Sequence, residues 1–178
     1  MKKSLSVAAA LLLLALATTP AMAAHGGQMG LGLLTSEFPV GAFFGLNDKA
    51  TFHVGIDVEK PKSESNTGQP KMTVGVVGAL EYDMWHGDNW GFGVFPSIAF
   101  KTTSYEDTPL GASIDSGHEL LVGLDLGGHF DPVSNVAIYF THGVEIASVT
   151  PPGGGDSATN IATTGINVGQ MGIAYFFK

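Results

Sequence analysis

Gln170-Met171-Gly172-Ile173-Ala174-Tyr175-Phe176-Phe177-Lys178 is the stretch that decides how this chain is read. Side chains alternate across a strand, so Tyr175 and Phe177 share one face. Met171 and Ile173 extend that face, while Gly172 and Ala174 occupy the other. The segment reads as a strand with a polar residue, a glycine two positions on, and two aromatics spaced by two.

Working back from it, the same period of two dominates residues 24–178, and no long helical periodicity competes. Thr51 to Glu59 is the clearest case, with Phe52, Val54, Ile56 and Val58 against His53, Gly55, Asp57 and Glu59. Met72 to Trp85, Trp90 to Thr102, Glu119 to Phe130 and Asn135 to Ser148 repeat the scheme. Gln28 to Thr35, Pro39 to Leu46 and Gly165 to Phe177 complete a set of eight strands. Pro96 cannot donate to a ladder, so a bulge is expected there. A second bulge is expected near Gly169, because Ile166 and Val168 are out of phase with Met171 and Ile173.

The connections alternate in length. Leu46 to Lys49, His86 to Asn89 and Asp131 to Ser134 are short and polar, as tight turns require. Lys60 to Lys71, Thr103 to His118 and Thr150 to Thr164 are long and rich in Ser, Thr, Gly, Pro and Asp. Alternating short and long ends around an even strand number describe an outer-membrane barrel. The better-defined strands run about nine to fourteen residues, enough for a tilted crossing of hydrocarbon.

The other end of the chain agrees. Lys2 and Lys3 precede an apolar run from Val7 to Ala17, and Ala21-Met22-Ala23 is a small-residue cleavage site. Residues 1–23 are therefore expected to be a signal peptide, leaving 24–178 as one domain. Cysteine and arginine are absent, and loss of Lys2 and Lys3 moves the net charge from −8 to −10. That balance argues against nucleic acid, which calls for basic patches. No disulfide is available, so stability must come from burial or closure.

The signal peptide, the eight-strand alternation and the terminal Tyr175-x-Phe177 together resemble the small eight-stranded outer-membrane barrels of the OmpA/OmpX type. The C-terminal signal of such barrels normally ends on the aromatic, so Lys178 is a departure. The resemblance implies an all-β, eight-stranded antiparallel up-and-down transmembrane β-barrel in the cell outer membrane of a Gram-negative-type envelope. It implies contact with outer-membrane lipid, contact with the barrel-assembly machinery through the C-terminal strand, and a monomer.

Two features place the apolar set outside. The polar set is heavy in Gly, Ala, Ser and Thr, which suit the crowded interior of eight strands. Aromatics cluster near the tight-turn end: Tyr82, Trp90, Phe92, Phe130, Tyr175 and Phe177, with Phe44 and Phe52 beside them. They read as an interfacial girdle. Phe38 and Phe100 are expected to form a thinner girdle at the opposite end.

This facing sends His53, Asp57, Glu81, Asp83, Lys101, Asp125, His129 and Glu145 to the interior or its rims, with Glu59 at a rim and Tyr139 a possible partner. One lysine cannot pair six acids, and buried ions need partners. A structural polar network that plugs the barrel is the expected result, and a narrow cation-favouring pore is the alternative. A soluble periplasmic lipocalin-like ligand-binding barrel is a further alternative, with the apolar set turned inward. The expected role is structural or surface interaction through long acidic outer loops.

No catalytic, cofactor or metal site is read. His142 shares parity with Phe140 and Val144, on the lipid face. Lipid-modifying barrels, as a family, pair such a histidine with a serine two residues on, where this chain has Val144. A bulge at Gly143 that turns His142 inward is expected instead. His86-Gly87-Asp88 lacks a third metal ligand, and His25 alone is a poor copper site.

Overall fold

The computed structural model describes residues 27–34, 38–60, 70–105, 114–153, 155–162 and 170–177. The proposed signal segment and the bulge expected near Gly169 lie outside them. The described strands are β1 Met29–Leu34, β2 Val40–Asn47, β3 Ala50–Glu59, β4 Pro70–Gly87, β5 Trp90–Tyr105, β6 Gly117–Val133, β7 Val136–Thr150, β8 Ala158–Ala162 and β9 Gln170–Phe177.

Neighbours from β1 to β7 pair antiparallel in chain order, and β9 bridges β1 to β7 to close a ring of eight. The tight turns are two residues long, since the flanking strands run up to Asn47, Gly87 and Val133. Each turn is laced to a strand beyond its own hairpin. Asp83 N donates to Lys49 O, Asp131 N to Asn89 O and Phe176 N to Asn135 O, all at 2.8 Å. Closure leaves no edge at this end, so every wall strand has a partner on both sides.

The expected long connection after Thr150 contains a strand. β9 covers Val136–Thr141 of β7, and β8 covers Glu145–Val149. β7 is fifteen residues long and outruns β9. Its upper edge would otherwise present unpaired donors and acceptors, and Thr159 and Ile161 are sound strand formers. Ser, Gly and Pro around them masked that signal.

The bulge expected at Pro96 is not there. Ala79↔Ser97 and Tyr82↔Val94 keep one register across it. The proline instead leaves a gap in the β4–β5 ladder opposite Leu80 and Glu81, while Phe95 and Pro96 stay paired to Asp125 and Leu124 of β6. A missing N–H costs a ladder bond without requiring an extra residue. β4 shifts register twice, between Pro70 and Met72 and between Asp83 and Trp85. The second shift resets parity, which is how Met84 and Trp85, adjacent in sequence, both come to be exposed.

The apolar set faces outward around the wall. Leu31, Leu33, Ile56, Val58, Ile98, Val122, Leu124, Ile146 and Ile173 are all exposed. The polar and small set faces the axis, with Thr51, Glu81, Asp83 and Lys101 buried. The exterior is apolar, where the lipocalin-like alternative expects a polar one.

Candidate functional site

The lumen is filled in two zones. Toward the tight turns, Phe43, Phe95, Tyr139 and Phe176 form one cluster with Ala137 and Ala174, each at most 5% exposed. Phe43 and Tyr139 stack at 5.2 Å, and Phe176 meets Phe43 edge-on at 6.1 Å. Such offset and edge contacts suit the ring quadrupoles. Gly32 makes room, because a Cβ there would come within 2.7 Å of the Phe43 ring. Eight strands enclose a bore that side chains can just fill, and these rings fill it.

Glu81 is the hub beside the rings. It is 1% exposed, and its two oxygens take different imidazoles. His53 Nε2 lies 3.1 Å from Oε2, and His129 Nδ1 lies 2.7 Å from Oε1. The 2.7 Å spacing is that of a charge-assisted N–H···O bond, and 3.1 Å lies within the ordinary N–H···O range. His53 is wedged among Phe43, Tyr139 and Phe95 at ring distances of 4.6, 5.2 and 5.9 Å. His129 Nδ1 is also 4.0 Å from Asp83 Oδ2, and its Nε2 is 3.7 Å from Asp131 Oδ2. Asp83 Oδ1 and the Tyr139 hydroxyl are buried without a hydrogen-bond partner.

The second zone lies toward the long connections. Asp125 accepts a 3.0 Å hydrogen bond from the Thr141 hydroxyl. Above it a cavity of about 20 Å³ is lined by Phe38, Val77, Ser97, Asp125 and Glu145 among others. That is room for about one water. Lys101 is buried, with its ammonium 5.2 Å from the centre of the Phe38 ring. Glu119 and Glu145 act on it electrostatically. Asp57 is only partly covered, with Glu59 as its charged neighbour.

The eight predicted interior residues therefore do not form one cluster. His53, Glu81, Asp83 and His129 come together. Lys101 and Glu145 belong to the second zone with Asp125, and Asp57 stands apart near the long-connection rim. Phe43, Phe95 and Phe176 were missed. Their parity with small or polar neighbours was the available signal, but an aromatic on the polar face carries no mark that distinguishes a plug.

On the outer face, Tyr82, Trp90, Phe130, Tyr175 and Phe177 are exposed, and Phe92 is half-covered with its ring 6.1 Å from that of Trp85. Tyr175 and Phe177 pack ring on ring at 5.3 Å. Phe38 does not belong to an outer girdle. It is buried against Ala99 and Leu121 and roofs the lumen, because it precedes β2 and folds inward over the space left at Gly55 and Gly75. His142 is not turned inward. The β6–β7 ladder is unbroken from His118↔Thr150 to Phe130↔Ile138, so Leu126↔His142 keeps parity and His142 stays outside.

No model of a known protein family, no curated protein and no solved structure matches this chain.

Proposed function

We propose that this chain is an integral outer-membrane β-barrel protein with a structural or surface-interaction role and no catalytic one. The outward apolar face carries this reading. Among the described residues, twenty-nine large apolar side chains are exposed, distributed over every described strand. A water-soluble monomer rarely exposes a contiguous apolar patch above a few hundred Å². Each such side chain is 36–71% exposed and in water forgoes roughly half of the 1.5–3 kcal/mol that full burial gives, whereas lipid tails remove that penalty. Aromatics concentrated at the tight-turn end fit an interfacial belt. A closed wall fits a medium that offers the backbone no hydrogen bonds.

In this reading the first residues direct export, the barrel sits as a monomer in outer-membrane lipid, and β9 is the strand that the barrel-assembly machinery engages. The tight turns face the periplasm. The long connections face outward, where Asp115, Ser116, Gly155, Asp156, Ser157 and Thr159, among the described residues, are exposed and offer contact surface. The packed lumen favours a plug over a cation-selective pore.

The test is gel mobility of the membrane fraction with and without boiling. A detergent-resistant form that shifts on boiling is expected. A protein that stays in the soluble fraction and shows no shift overturns the reading.

A further inference from the structure

We infer that Glu81, Asp83 and His129 form a divalent-cation site of the zinc type at the tight-turn end of the lumen. The inference does not depend on what surrounds the barrel. One ligand atom from each of the three lies within 4.8 Å of the others. Two atoms bound to one zinc stand at most about twice the 2.0–2.2 Å bond length apart, so side-chain rotations of about an ångström complete the set.

A second observation points to a ligand. Tyr139 is 3% exposed and its hydroxyl has no hydrogen-bond partner. It sits directly across the β6–β7 ladder from His129, with ring centres 5.8 Å apart, and its oxygen feels the charges of Glu81, Asp131 and Asp83. Buried polar groups in native proteins are nearly always satisfied. Asp83 Oδ1 is a second such atom. One cation beside these groups, with a water to the phenol, satisfies both.

The surroundings suit a metal. His53 holds the second oxygen of Glu81 at 3.1 Å, and Asp131 stands 3.7 Å from His129 Nε2. These are outer partners of the kind that orient metal ligands. A Cβ at residue 91 would press on both Asp83 and His129, so glycine there keeps the space between β4 and β6 open. His129 and Asp131 are 11% and 14% exposed, which leaves a way in from the rim. On binding, Zn²⁺ takes the lone pair of His129 Nδ1, and the Nδ1 proton now shared with Glu81 moves to Nε2 beside Asp131 in a neutral ring, or leaves to solvent from an imidazolium.

The experiment uses the full barrel folded in detergent, stripped with EDTA, then titrated with zinc chloride by calorimetry. One saturable site and a raised urea midpoint are expected. Asp83→Asn should weaken binding at least tenfold, whereas joint replacement of the exposed His86, His118 and His142 by Ala should leave it unchanged. X-ray absorption of the zinc-loaded wild type needs no variant, and a nitrogen and oxygen shell with a single imidazole is expected. No saturable binding, two or more imidazoles on the metal, or wild-type affinity in Asp83→Asn overturns the site.

Discussion

At the scale of single residues, Glu81 shows how a buried charge is retained. A carboxylate at 1% exposure survives only because two imidazoles complete its lone pairs. Removing it leaves those imidazoles to find other partners, and breaking a buried pair costs about 3–5 kcal/mol. Glu81→Ala should lower stability by that amount in urea unfolding of the folded barrel, and Glu81→Gln by less. Phe43→Ala should cost about 3–5 kcal/mol by the same assay, since the ring is fully buried and its neighbours cannot collapse across a closed wall. The face of Glu81 was legible from its parity with Ala79 and Asp83. Its partners were not, because His53 and His129 lie 28 and 48 positions away, and parity says which way a side chain points without saying at what height.

At the scale of elements, β6 offers the sharpest discrimination. Val122, Leu124 and Leu126 point out, while Leu121, Gly123 and Asp125 point in. If lipid surrounds the wall, Leu124→Arg should destabilise the barrel by about 2–4 kcal/mol in bilayers, the range for a cation on the lipid face near midplane. A value near zero would argue for water outside. Pro96 sits in a strand whose register is intact but whose ladder to β4 is interrupted. Pro96→Ala restores a donor and should raise stability by about 0.5–1.5 kcal/mol, the net worth of one hydrogen bond. An unchanged urea midpoint would show that the gap is closed by other means. The strand itself was legible from the alternation of Val94, Ile98 and Phe100 with Ser97, Ala99 and Lys101. The gap in place of a bulge was not, because both answers satisfy the proline, and only the registers on either side separate them. β8 was hidden for a related reason. Its five residues became a strand because the upper edge of β7 was available, and an edge is a property of a partner's length.

At the scale of the whole molecule, the filled lumen sets the expectation for transport. Phe43, Phe95, Tyr139 and Phe176 close the bore near one end, and Phe38 with Lys101 closes it near the other. Planar bilayers containing the folded protein should show no conductance steps above the bare membrane. Amide replacement of Glu81, Asp125 and Glu145 should not change that. Steps that disappear in the amide variant would establish the cation pore instead. The strand count around the ring, the antiparallel order, the facing of almost every side chain and the end at which aromatics gather were readable along the chain. These follow from local alternation and turn chemistry, which are properties of neighbours in the chain. Four features emerge only in the assembled barrel: Phe38 folds inward, His142 stays outside, two segments share the edge of β7, and two histidines meet on one glutamate. Each depends on register between strands and on the height at which side chains meet across a closed bore, and closure is a relation among all strands at once.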